Sequence, residues 1–101
     1  MAAKLITVYW RDIPAQVIAR KGRSTAKIPL SDRFQVAIDR AAMRAGKGSS
    51  DQYLDDWRRE STPCAADLEQ AARTLAASLE SEFDDERLER MVKAGGTNPD
   101  A

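Results

Sequence analysis

Lys4-Leu5-Ile6-Thr7-Val8-Tyr9-Trp10-Arg11 is a dense run of β-branched and aromatic residues that stops at Asp12-Ile13-Pro14, where proline removes a backbone donor and restricts the residue before it. The run predicts a strand followed by a turn. Alternation puts Leu5, Thr7 and Tyr9 on one face and Ile6, Val8 and Trp10 on the other, so both faces are apolar and the strand is expected in the middle of a sheet. Ala15 to Arg20 forms a second run, Lys21-Gly22-Arg23-Ser24 a turn in which glycine supplies a positive φ, and Thr25 to Leu30 a third run. Links this short cannot make parallel crossovers, so a three-stranded antiparallel meander is the simplest arrangement.

Beyond Pro29 the apolar period lengthens to three and four residues. Ser31 stands where its hydroxyl would accept from the free amides of a helix expected over residues 32–45, with Phe34, Ala37, Ile38, Ala41 and Ala45 on its apolar stripe. Gly46-Lys47-Gly48 is the expected stop. A shorter helix capped by Ser49 or Ser50 would carry Tyr53, Leu54 and Trp57, and Thr62-Pro63 has the cap-then-proline form of another helix start. Leu68, Ala72, Leu75, Ala76, Leu79 and Phe83 make one long stripe, continued by Leu88, Met91 and Val92 after a break at Asp84-Asp85 and ended by Gly95-Gly96. The expectation is one α+β domain over residues 4–95, an N-terminal three-stranded antiparallel meander packed against three to four helices, with a disordered tail over residues 96–101.

Composition narrows the function. A chain of 101 residues buries roughly 60–70% of the surface its unfolded form exposes, enough for a modest core and poorly suited to a deep catalytic cavity. One Cys and no His exclude an intrachain disulfide, a Cys/His zinc site and any imidazole base within the chain. The first ten residues lack the long apolar core of a leader, and no run approaches the length of a membrane span, so a cytoplasmic protein is expected. Cys64 has no histidine to pair with, and the carboxylates of residues 55–56 and 82–86 lack the glycine-containing spacing of a calcium loop. No catalytic residue, metal or cofactor is expected.

The net charge is zero, but it is unevenly laid out. Residues 1–30 hold Lys4, Arg11, Arg20, Lys21, Arg23 and Lys27 against Asp12 alone, a net of +5, residues 31–60 balance, and residues 61–101 carry a net of −5. Three readings follow. The last helix lies against the hairpin and the two charge sets partly neutralise each other, or Arg20, Lys21, Arg23 and Lys27 clamp an anionic ligand or partner at the second turn, or a partner is contacted through the acidic helix. Tyr9 and Trp10 beside Arg11 read either as sheet packing or as a stacking platform. Tyr53, Trp57 and the Arg58-Arg59 pair read either as a seal of the short helix onto the sheet, with the charges facing water, or as a partner-binding anchor.

Tyr9-Trp10-Arg11-Asp12-Ile13-Pro14, together with Arg33-Phe34, Ala37-Ile38-Asp39, Ala41-Ala42-Met43-Arg44, Tyr53-Leu54 and Trp57-Arg58, resembles the small bacterial virulence factor family over about residues 4–60. Its stand-alone members are alphaproteobacterial, and the same module is found in longer conserved virulence factor proteins. The family label names a phenotype and no chemistry. Stand-alone members are often encoded near folate and corrinoid one-carbon enzymes, so the resemblance implies a non-catalytic accessory or adaptor protein docking on methylenetetrahydrofolate reductase or a corrinoid or folate methyltransferase. Tyr9, Trp10, Arg11, Tyr53, Trp57 and Arg58, with the hairpin cations, are the expected partner-binding residues. The alternative is a small nucleic-acid or anion binder that uses the basic hairpin, although a net charge of zero makes nucleic acid the weaker expectation.

Overall fold

The computed structural model describes residues 3–46, 50–64 and 67–98. β1 (Ala3–Trp10), β2 (Ile13–Lys21) and β3 (Ser24–Pro29) form the expected antiparallel meander. α1 (Asp32–Arg44) and the short α2 (Ser50–Asp55) follow, then β4 (Trp57–Cys64), α3 (Leu68–Glu82) and α4 (Asp85–Lys93). The class is α+β, with a four-stranded antiparallel sheet in the order β3-β2-β1-β4. β1 lies inside the sheet, as its two apolar faces require.

The fourth strand departs from the expectation of a helix. Trp57 and Arg58, expected on a helix with Tyr53, and Thr62-Pro63, expected to start another, all lie on β4. Only the two end residues of β4 are even partly buried, so it has no alternating apolar face to mark it as a strand. Pairing decides it. β1 would otherwise keep a free edge of backbone donors and acceptors, and β4 satisfies that edge from Ala3 opposite Cys64 to Trp10 opposite Trp57. α3 therefore begins later, at Leu68, where the Asp67 carboxylate accepts from the Gln70 amide. Cys64 is a free thiol at a strand end and not at a helix N-terminus.

One face of the sheet carries the main core. Val17 and Ala19 of β2 join Phe34, Ile38 and Ala41 of α1, Ala72 and Leu79 of α3, and Leu88 and Met91 of α4. On the opposite face Ile6, Val8 and Ile18 form a separate cluster with Trp57 packed against it. Alternation along β1 holds as far as Val8. There the β1–β2 ladder slips, Val8 standing opposite Gln16 and Tyr9 opposite Pro14, with Ala15 left over. A bulge of this kind increases local twist. Beyond it Trp10, expected beside Ile6 and Val8, joins the main core fully buried with Ile13.

Caps and ties account for the helix ends. Ser31 precedes α1, but its hydroxyl makes no cap bond. Its Oγ and its amide both donate to Glu80 of α3, at 2.8 and 2.6 Å. Asp84 accepts from the Arg87 amide, so the expected break between α3 and α4 is also the cap of α4. Gly46 follows the end of α1 at φ +75°, while Lys47, Gly48 and the candidate cap Ser49 lie outside the described residues. Residues 96–98, the first part of the expected tail, lie against the β1–β2 turn. The Asp12 amide donates to Gly96 O and the Asn98 amide to Asp12 Oδ2, which fastens this segment to the β1–β2 turn; residues 99–101 lie outside the described residues.

Two outcomes test this packing. A Cβ on Gly96, at φ +97°, would stand 2.6 Å from Trp10 Cζ3, whereas one on Gly46 meets nothing within 4 Å. Denaturant melts should show Gly46→Ala losing about 1 kcal/mol from its φ alone, and Gly96→Ala losing about 2–4 kcal/mol as the steric contact is added. Glu80 gives a pH dependence. Its partial burial pushes the carboxyl up, but the Ser31 amide and hydroxyl and the Arg33 guanidinium outweigh this and hold it below its ordinary value of 4.5. A depressed native value contributes stability that is present above pH 4.5 and lost as pH falls through that lower value. Melting temperatures measured from pH 6 down to about pH 2 should show a shallower acid limb for Glu80→Gln than for the parent chain.

Candidate functional site

The motif of the β1–β2 turn is drawn inward. Trp10 is fully buried, its Nε1 donates to Tyr53 O at 2.8 Å, and its ring stacks on Tyr53 at 5.9 Å between centroids. Arg11 takes the left-handed conformation at φ 53°, and its side chain holds two other segments. Its Nε donates to Asp56 at 3.2 Å and its Nη1 to Gly95 O at 2.8 Å. Arg58 completes the knot: Nε donates to Arg11 O, Nη2 donates to Asp12, and the guanidinium lies 4.4 Å from the centre of the Tyr9 ring. Burial and the Glu60 carboxylate push the Tyr9 phenol above its ordinary value, with Arg58 opposing them. Tyr9, Trp10, Arg11, Tyr53 and Arg58, all expected in a partner surface, are thus placed together in a structural junction. Trp10 is withdrawn from any surface by its burial.

The hairpin cations behave differently. α3 packs on β2 and β3, as the first reading of the charge gradient expects, but among the described residues no ion pair joins the hairpin cations to the acidic helices. Arg33 and Arg40 of α1 make those pairs, Arg33 with Glu80 and Asp85 and Arg40 with both oxygens of Glu89. Arg44 donates to Lys93 O at the end of α4. Arg20, Lys21, Arg23 and Lys27 are exposed and, among the described residues, make no ion pair.

Register shows what surrounds them. Cross-strand partners share a face, so Lys27 opposite Ile18, Arg59 opposite Val8, and Arg20 opposite Lys4 all belong to the face of the Ile6, Val8 and Ile18 cluster. No outward position of the four strands is occupied by Asp or Glu. No helix packs on the cluster among the described residues. Its three aliphatic residues are buried, at 5–7% exposed, with Trp57 packed against them. Two shallow depressions share Gln16 and Trp57 in their linings. One, of about 310 Å³, is completed by Val8, Arg58 and Arg59, and the other, of about 300 Å³, by residues that include Pro29, Leu30, Asp32 and Gln35. A third depression, between α1 and α4, is spanned by the Arg40–Glu89 pair and carries both signs of charge. No three His, Cys, Asp or Glu side chains gather as metal ligands among the described residues.

Lys4 and Gln16, and the aliphatic cluster beside them, are not singled out as site residues by sequence reasoning, and Arg59 is expected on a helix beside Arg58 and not on this face. The signal that finds them is the pairing of β4 with β1, because it fixes which face Arg59 occupies.

A family model described as virulence factor matches residues 8–92. The chain belongs to the virulence factor family. The match runs well beyond residue 60, through α3 and nearly all of α4, so in this virulence factor domain the acidic helices are part of the family unit as much as the sheet is. No curated protein and no solved structure matches the chain. No helix among the described residues is long and apolar enough to cross a membrane.

The junction predicts an order among substitutions at Arg11. Arg11→Ala removes the two side-chain ties and keeps the left-handed backbone, for an expected loss of about 2–4 kcal/mol by urea unfolding. Arg11→Gly loses the same ties but relieves the backbone, so it should be the more stable of the two by about 1 kcal/mol.

Proposed function

We propose that this virulence factor domain is a non-catalytic docking module that engages a protein partner through the outer face of its sheet. The observation that supports this is the outer face itself, on which no helix packs among the described residues. Lys4, Arg20, Lys27 and Arg59 stand around the floor of Ile6, Val8 and Ile18, and no Asp or Glu occupies an outward strand position. Charged groups rimming an apolar centre are a usual form of a protein interaction site. A catalytic reading has less to stand on. The depressions are shallow and open, and acid–base chemistry without imidazole would need carboxylate, Lys or Tyr groups brought together in an enclosed pocket.

The partner proposed is an enzyme of folate or corrinoid one-carbon metabolism, methylenetetrahydrofolate reductase or a corrinoid or folate methyltransferase. That part rests on the family resemblance alone. A second reading, an oligonucleotide or polyphosphate on the hairpin, is favoured only by the unpaired state of Arg20, Lys21, Arg23 and Lys27.

The test mixes the purified chain with each of these enzymes from the same organism and measures complex formation by size exclusion with light scattering. A stoichiometric complex is expected with one of them. Ile18→Asp on the floor should abolish it in a variant that still melts cooperatively, and Glu86→Lys on α4 should leave it intact. No complex with any of the enzymes would remove the one-carbon assignment. Oligonucleotide binding that falls steeply with salt, in place of a protein complex, would favour the second reading.

A further inference from the structure

We propose, building on the docking reading above, that the occupant of the outer sheet face is an acidic amphipathic helix. Its apolar side chains would recur at three- and four-residue steps, with carboxylates on both flanks. The floor selects for the apolar stripe. Ile6 and Ile18 lie beneath the surface, and the two depressions that share Gln16 and Trp57 add Val8 in one and Pro29 and Leu30, beside Asp32, in the other as apolar lining for a partner's side chains. The charges of Lys4, Arg20, Lys27 and Arg59, on the same face, form the rim.

The rim selects for carboxylates. Lys27 on β3 and Arg59 on β4 stand on opposite sides of the floor, and Lys4 with Arg20 closes one end. β3 and β4 are three strand spacings apart, about 14 Å, which spans a helix about 10–12 Å across. A partner with acidic flanks therefore meets cations on both sides at once.

Other occupants fit less well. Both sheet edges carry the residues that discourage strand addition, Lys27 and Pro29 on β3 and Pro63 on β4. Nucleic acid stacks on exposed rings. The ring bordering this floor, Trp57, is half-buried and set edge-on against Tyr53 at 5.7 Å. A second copy brings acidic helices whose apolar residues, Leu79, Leu88 and Met91 among them, are already buried in their own core.

The probe is a synthetic peptide of about 18 residues, five helical turns, with Leu at helical spacing and Glu on both flanks. The comparators are the same composition with Leu moved out of register, the same register with Lys for Glu, and an oligothymidylate. Fluorescence anisotropy with the full chain should show the acidic amphipathic peptide binding about tenfold or more tighter than any comparator, and circular dichroism should show it becoming helical. Arg59→Glu and Lys27→Glu, both at exposed positions, should each weaken binding about fivefold or more, and Glu86→Lys should not.

Equal binding of the scrambled peptide, tighter binding of the oligothymidylate, self-association in place of peptide binding, or indifference to both charge reversals would each overturn the proposal. The complex with a protein partner separates the two levels. Loss with Ile18→Asp but survival of Arg59→Glu and Lys27→Glu would overturn the acidic helix and leave docking standing. Indifference to all three would overturn docking on this face.

Discussion

The arrangement of every later segment depends on the burial of one indole beside one left-handed arginine. Trp10 is wedged between Tyr53 of α2 and Gly96 after α4, so the middle and the end of the chain are both positioned against the last residue of β1. An aromatic side chain of this size is worth several kcal/mol when removed from water, and cutting it back to alanine typically costs about 3–5 kcal/mol. Arg11 adopts a backbone conformation that costs about 1–2 kcal/mol for a non-glycine residue. Its bonds to Asp56 and Gly95 offset that cost and join the turn to the same two segments that Trp10 touches. The Tyr9-Trp10-Arg11-Asp12 string is therefore explained by what it holds together.

Charge in this molecule is sorted by layer. Arginines of α1 answer the carboxylates of α3 and α4, and they do so at helix ends and along one seam. These are partly exposed pairs, each contributing modestly to stability. Their larger effect is on what they leave out. The one carboxylate of the strands, Glu60, lies on the other face and pairs with Arg58, so the outward positions hold Lys4, Arg20, Lys27 and Arg59 alone in charge and their field projects from that face.

Much of this could be read from residue order, and the failures have identifiable causes. The meander, α1, the break at Asp84 and the double-glycine stop follow from alternation, helical stripes, caps and glycine, all of which act within a few residues. β4 does not. Trp57 to Cys64 has no strand-like apolar alternation, and it becomes a strand because β1, some fifty positions away, has an edge to fill. Trp10 joins the main core, and not Ile6 and Val8, at the end of the sheet beyond the irregularity between Val8 and Tyr9, which shows only once β1 and β2 are aligned. The candidate surface inherits both gaps. Arg20 and Lys27 could be suspected from their clustering, but Lys4, Gln16 and Arg59 join them only through the register of strands that are distant in sequence.

The separation between β1 and its second neighbour also bears on how the chain reaches its fold. β2 emerges directly behind β1 and can pair with it at once, whereas Trp10 and Ala3 must wait for Trp57 and Cys64, 47 and 61 positions later. Contacts this distant form slowly. Throughout that interval the most apolar strand of the molecule presents an open edge, the kind of template on which nascent chains aggregate. The yield of native molecules is then the outcome of a race between closure by β4 and encounters with other chains, so protein concentration and chaperone supply govern it as much as final stability does.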